Sequence, residues 1–254
     1  MSTWVFGDVH GAYKALVQIF ERAKIKKGDT IISLGDICDG WSEVFECVEL
    51  LTSMQKDYNM IFCKGNHDDW FNTFIKRNRH PQGWLQGGDG TLKSYCKNLS
   101  KEFVLTDNSF FTNLLESDIP ESHRNFFNKQ LNYYKDNNDN IFVHGGFNRH
   151  FLLRNQFDDS IFYWDRDLWS SAMSHTQIDA PFKIKEECKN VFIGHTTTMM
   201  WKSDRPIRAG KKIWNLDTGA GFNGRLTIMD VDTHEYYQSD NVQNLYPNER
   251  GRNG

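Results

Sequence analysis

The chain has 254 residues, of which 39% are hydrophobic and 25% charged, with a formal net charge of -3. That is enough apolar material for one large domain or two small ones, and the charge gives no global basic surface for a nucleic-acid backbone. No apolar run approaches the roughly 18–20 residues that span a bilayer. The first residues run straight into a strand-like pattern without the basic and apolar regions of a signal peptide. Cys38, Cys47, Cys63, Cys96 and Cys188 contain no Cys-x-x-Cys pair, which fits reduced cytoplasmic thiols better than a disulfide framework or a thiolate zinc site.

In chain order, Trp4-Val5-Phe6 reads as a short buried strand followed at once by Gly7-Asp8-Val9-His10-Gly11. Leu16, Ile19, Phe20 and Ala23 recur at helical spacing, so a helix packs back on that strand. Thr30 to Leu34 forms a second strand ending in Gly35-Asp36-Ile37-Cys38-Asp39-Gly40, and a second helix runs from about Ser42 to Lys56. Met60-Ile61-Phe62-Cys63 is the third strand and ends in Gly65-Asn66-His67-Asp68. A β-α-β-α-β order implies parallel strands joined by right-handed crossovers.

From about residue 77 to 140 the pattern changes to a mainly helical insertion, read as a cap over the sheet. Apolar runs return at Ile141-Phe142-Val143, ending in His144-Gly145-Gly146, and at Val191-Phe192-Ile193, ending in Gly194-His195-Thr196. Three closing strands, Ile213–Asp217, Leu226–Met229 and Glu235–Tyr237, read as antiparallel. The expected organisation is a single domain over residues 1–240 and a loose polar tail over 241–254.

Five strands are thus followed immediately by a hard or borderline metal ligand: Asp8 with His10, Asp36, Asn66 with His67, His144, and His195. Singly, each has an ordinary explanation. Asp-x-His is common in turns, Asn66 caps a helix, and a lone histidine is more often a satisfied structural residue. His80, His123, His150, His175 and His234 fit no such pattern and are read as surface or packing residues. Five strand ends so marked, with no such residue in mid-strand, point instead to one site at the carboxyl edge of a sheet. Mixed oxygen and imidazole donors suit manganese, iron or zinc, and the set is too large for one ion and right for two that share a carboxylate.

As an ordered set, these five motifs resemble the signature of calcineurin-like metallophosphoesterases. The similarity points to the phosphoprotein-phosphatase-type branch, which includes bacterial and lambda-phage-like serine/threonine protein phosphatases and diadenosine tetraphosphate hydrolases. Trp164-Asp165-Arg166, Asn215-Leu216-Asp217-Thr218-Gly219 and the stretch from Gly87-Gly88 through Thr91 to Ser94-Tyr95 carry the same resemblance. It implies an α/β fold: a four-layer α/β/β/α sandwich of two mixed sheets flanked by helices, with a mainly helical cap.

It further implies two divalent ions about 3.5–4 Å apart, manganese first with iron or zinc as alternatives, and a bridging hydroxide as nucleophile. Asp8, His10 and Asp36 would hold the first ion; Asp36, Asn66, His144 and His195 would hold the second. His67 would be the general acid, with Asp39 holding and charging its imidazole. Arg166, together with Asn66, would grip the substrate phosphate, and Asp217 and Thr218 would support the site from behind. One position departs from the pattern. Most members carry Arg directly after the aspartate matching Asp39, where this chain has Gly40. Arg77, Arg79, Arg149 or a cap lysine are the substitutes considered.

The expected function is phosphomonoester hydrolysis of the serine/threonine protein phosphatase type, on a phosphorylated protein or a small phosphoester. The alternative is hydrolysis of diadenosine tetraphosphate or another nucleotide, with Trp70, Trp84 and Tyr95 as candidates to stack a base. A nucleic-acid phosphodiesterase and a non-catalytic metal-binding module rank lower, the latter because every ligand and the general acid are retained.

Overall fold

The computed structural model describes residues 1–77, 82–106 and 109–252; Arg79 and His80 lie outside them. The first five elements are β1 (Thr3–Phe6), α1 (Tyr13–Ala23), β2 (Thr30–Ser33), α2 (Val44–Met54) and β3 (Asn59–Phe62). β1 pairs in parallel with β2, and β2 in parallel with β3, as the crossover pattern requires. The cap region then supplies α3 (Asn66–Arg77), α4 (Gly88–Leu99), β4 (Phe103–Thr106), β5 (Ser109–Thr112), α5 (Glu121–Asn128) and β6 (Tyr133–Lys135). After β7 (Ile141–Val143) come α6 (Ile161–Trp164), α7 (Asp167–Gln177), β8 (Val191–Ile193), β9 (Ile207–Ala209) and β10 (Ile213–Asn215). The chain closes with β11 (Thr227–Asp230), β12 (Tyr236–Gln238) and α8 (Val242–Leu245).

Two five-stranded mixed sheets result, ordered β12-β11-β1-β2-β3 and β6-β7-β8-β10-β9. Strand alternation explains how they stack, since successive side chains leave a strand on opposite faces. Val5, Ile32, Phe142, Phe192 and Met229 point into one buried cluster shared by both sheets. Phe142 and Phe192 stack there with ring centroids 5.1 Å apart and planes 7° from parallel. Their neighbours Trp4, Phe6, Ile31 and Ile228 face the other way, against the apolar side of α1 and α2. Ile141, Val143, Val191, Ile193 and Ile213 face Leu168, Trp169 and Ala172 of α7. Helix, sheet, sheet and helix therefore form four layers. Truncating Phe192 to Ala would remove about 3–5 kcal/mol from the central interface.

Three expectations need correction. β10 is parallel to β8 and antiparallel only to β9, because its apolar run is buried in the second sheet rather than closing the first. The described part of the stretch from 77 to 140 is helical with exceptions: β4 and β5 form an antiparallel hairpin, and β6 is an edge strand of the second sheet. The tail is packed through Arg252, not loose. Tyr246 is only 3% exposed, and its ring stacks on Trp41 at 5.1 Å. Its hydroxyl accepts the Lys14 N–H at 3.0 Å and donates to Glu43. Glu249 then accepts both the Ser42 N–H and its hydroxyl. A single aromatic anchor and a few polar bonds hold a segment whose composition reads as solvent-exposed.

Candidate metal centre and acid dyad

The carboxyl ends of β1, β2, β3, β7 and β8 converge where the two sheets meet, and each delivers its side chain within one to four residues of its last strand position. Local backbone strain marks the same places. His10, Asp36, Asp39 and His195 all adopt positive φ, at 51, 51, 69 and 67°, a region that costs a non-glycine residue energy and persists where surrounding structure enforces it. Two glycines make room. A Cβ on Gly65 would lie 2.0 Å from Asp36 Oδ1, and one on Gly194 would lie 2.0 Å from Asp8 Oδ1.

Two groups of potential ligands form, Asp8–His10–Asp36 and Asp36–His144–His195, each with its donor atoms within 4.8 Å of one another. Asp36 belongs to both. Its Oδ2 lies 3.7 Å from His10 Nε2 and 3.2 Å from His144 Nε2. Asn66 joins the second group, with Oδ1 3.2 Å from His144 Nε2. All six expected ligands are therefore together and buried.

Hydrogen bonding orients them. His144 donates its Nδ1–H to the Leu34 carbonyl at 2.9 Å, and His10 shares its Nδ1–H between the carbonyls of Cys38 and Asp39. Both imidazoles thereby turn Nε2 inward toward the carboxylates, the orientation typical of a metal-ligating histidine. Asp8 Oδ1 and His195 Nε2 are buried without a hydrogen-bond partner. Burial, with Asp217 close by, pushes the Asp8 carboxyl well above its usual range. Burial would also raise Asp36, but the His144, His67 and His10 imidazoles hold it well below. Burial opposes protonation of His144, yet Asp36 and Asp8 push it up to about 9. The cluster calls for positive charge, and its oxygen and nitrogen donors fit divalent cations.

Asp68, which follows His67, emerges from the structure alone. Its carboxylate accepts the N–H groups of Ile37, Cys38 and Gly65 and an N–H of Gln130. It fixes the turn that carries Asp36. The His67 N–H in turn donates to Asp36 Oδ1 at 3.0 Å.

Beside the ligands, His67 Nδ1 and Asp39 Oδ2 are 2.7 Å apart, both buried. The other oxygen of Asp39 accepts Trp84 Nε1–H at 2.8 Å and the Thr91 hydroxyl at 2.6 Å, so the cap locks the dyad from outside. Burial acts against charge on both members of the dyad. Burial pushes His67 down to about 3, and burial raises Asp39 despite the bonds from Thr91 and Trp84. Removing both groups from water favours the neutral pair over the ion pair.

Arg166 stands at the exposed rim, its Nη1 donating to the His195 carbonyl at 3.0 Å and to Thr196 Oγ1 at 2.8 Å. Asp217 is buried behind Asp8, accepts the Gly219 N–H, and is pushed up to about 6 by burial. Thr218 bonds Arg225 and Thr227 away from the ligands. Of the considered substitutes for the arginine absent at Gly40, Arg77 is exposed at the end of α3, and Arg149 lies over Phe182 and bonds the Lys183 carbonyl. The side chain beside Gly40 is Arg252, from the packed tail, with Nη1 3.3 Å from His10 Nε2. Trp84 and Tyr95 are fully buried and cannot stack a base, whereas Trp164 is 41% exposed.

No curated protein matches the chain. Its architecture is shared by solved structures at low identity. One, from a protein proposed to be a diadenosine tetraphosphatase, aligns with a TM-score of 0.61 and 15% identity over 93% of this chain and 91% of its own. A cold-active protein-tyrosine phosphatase of a psychrophilic Shewanella gives 0.56 and 14%, over 94% and 80%. A serine/threonine protein phosphatase from Saccharomyces cerevisiae gives 0.53 and 14%, over 94% and 79%. The family model for calcineurin-like phosphoesterases matches residues 1–199, a span holding all six ligands and the His67–Asp39 pair. The chain belongs to the calcineurin-like phosphoesterase family and is a phosphoester hydrolase.

Proposed function

We propose that this chain is a two-metal phosphomonoesterase of the serine/threonine protein phosphatase type. The observation that carries the reading is the pair of ligand groups sharing Asp36, with a buried His67–Asp39 dyad alongside. Asp8, His10 and Asp36 would hold one ion and Asp36, Asn66, His144 and His195 the other, manganese being the first choice and iron or zinc the alternatives. When bound, such ions neutralise the phosphoryl charge and activate a water molecule.

The chain's own residues do the rest. Asp39 holds the Nδ1 side of His67, which leaves Nε2 as the atom that gives a proton to the departing oxygen. With two protons in the dyad, one leaves from Nε2 whether its partner sits on Nδ1 or on Oδ2, so a neutral pair serves as well as an ion pair. Arg166 spends Nη1 on Thr196 and the His195 carbonyl, which fixes the guanidinium plane and leaves its remaining N–H groups for phosphate oxygens. A single domain over residues 1–240 and a cytoplasmic location fit this reading; the five cysteines are buried and free.

Purified protein supplied with manganese should cleave p-nitrophenyl phosphate, and a chelator should abolish the reaction. Absence of turnover with manganese, iron and zinc alike refutes the proposal. A second reading, hydrolysis of diadenosine tetraphosphate or another nucleotide, is favoured by one observation. Trp70 and Trp164 pair at 5.3 Å, against His67 and His195 respectively, so an aromatic surface stands at the site. Comparing phosphopeptides with diadenosine tetraphosphate at equal metal, with and without Trp164→Ala, separates the two.

A further inference from the structure

Arg252 reaches the site from far along the chain, beyond the residues that match the family. Its N–H donates to the Gly221 carbonyl at 2.8 Å. Its aliphatic stem then passes three glycines: a Cβ on Gly40 or Gly87 would lie 3.2 or 3.4 Å from Cγ, and one on Gly221 would lie 3.1 Å from Cδ. The slot exists because three walls lack side chains. At its end the guanidinium lies 5.0 Å over the Phe222 ring, with Nη1 against His10 Nε2. Its Nε is buried with no hydrogen-bond partner. Among the described residues, Arg252 makes no salt bridge.

A half-buried cation with unspent donors, at the edge of a site that takes phosphoesters, is suited to an anion rather than to an imidazole lone pair. Gly40 and Arg252 are two parts of one arrangement. Gly40 has φ 115°, a conformation that strains any side chain, and a Cβ there would lie 3.2 Å from the Arg252 stem, so an arginine at position 40 would crowd Arg252 in this slot.

We propose that Arg252 is a substrate-phosphate ligand that works with Arg166 and takes the place of the guanidinium absent at Gly40. This rests on the phosphomonoesterase reading above. Two variants test it, Arg252→Ala and Arg252→Lys, in the manganese-loaded full-length protein. Affinity for inorganic phosphate is read by calorimetry, and KM and kcat are read with p-nitrophenyl phosphate. Arg252→Ala should weaken phosphate binding and raise KM by about ten- to a hundredfold, the span of a charge-assisted hydrogen bond. Its kcat should change less, and Arg252→Lys should fall between it and wild type. Wild-type phosphate affinity in Arg252→Ala overturns the proposal, as does tighter manganese binding without loss of phosphate, which would make Arg252 a competitor for His10. If the unaltered protein neither binds phosphate nor turns over substrate, the phosphomonoesterase reading has failed instead.

Discussion

Asp39→Asn tests the dyad while leaving its shape intact. Asp39 Oδ1 receives hydrogen bonds from Trp84 and Thr91, so in the variant the amide oxygen is held at that position. The amide nitrogen then faces His67 Nδ1, where the carboxylate oxygen stood 2.7 Å away. An N–H donated to Nδ1 fixes the tautomer that carries its only proton on Nε2. Releasing that proton would leave an imidazolate, so general-acid catalysis is lost. That mechanism contributes about 10²–10⁴-fold, or roughly 3–5 kcal/mol of barrier at 1.36 kcal/mol per decade. His67→Asn sets the floor. The fold should tolerate the change, because burial already disfavours a charge on Asp39. The assay compares kcat for p-nitrophenyl phosphate and phenyl phosphate, with metal content and unfolding midpoint as controls. Loss should be greater for phenyl phosphate, whose leaving group needs the proton more. Equal losses on both substrates would refute leaving-group protonation as the role of the dyad.

Other perturbations reach the scaffold. Asp68→Asn turns an NH2 group toward N–H donors that the carboxylate now accepts, which should cost about 2–5 kcal/mol and weaken manganese binding by displacing Asp36; urea unfolding and metal titration check both. His123 is buried between Glu49 and Tyr95, and burial lowers its pKa. The unfolded chain therefore takes up a proton first, and stability should fall by up to about 1.4 kcal/mol per pH unit as pH drops below about 6.5. His123→Gln should flatten that slope in denaturant titrations at pH 5 and 7, and an unchanged slope would assign the linkage elsewhere.

The candidate metal centre is legible because its residues are placed by local sequence. Each ligand follows an apolar run by one to four residues, next to a glycine, so position in the chain already implies position in the fold. Partnership is not local. The run at Ile213–Asn215 gives no sign that it lies parallel to β8, since a short apolar stretch is compatible with any neighbour. Aromatic density did not separate Trp84, which is buried against Asp39, from Trp164, which is exposed. Burial is likewise not local: Asp39 beside His67 suggests an ion pair, whereas the depth of both groups favours a neutral one. Arg252 had no signal of its own, because nothing about an arginine in a polar tail indicates that Tyr246 docks that tail on Trp41.

That dependence of Arg252 on Tyr246 can itself be measured. Tyr246 lies six residues before Arg252, and its buried ring and hydroxyl are what tie the segment to Trp41, Lys14 and Glu43. Tyr246→Ala should cost about 3–5 kcal/mol where the native state keeps the tail docked. The rest of the fold keeps its two sheets, so the smaller effect expected is release of the tail alone. Release withdraws Arg252 from the glycine slot, and phosphate affinity should fall as far as it does in Arg252→Ala. The double variant Tyr246→Ala/Arg252→Ala should then bind phosphate no more weakly than either single variant, because both remove one interaction. Residues acting through a shared contact depart from additivity in this way, whereas independent ones add to within about 0.5 kcal/mol. Additive losses, or full phosphate affinity in Tyr246→Ala, would mean that the tail does not deliver the guanidinium to the site.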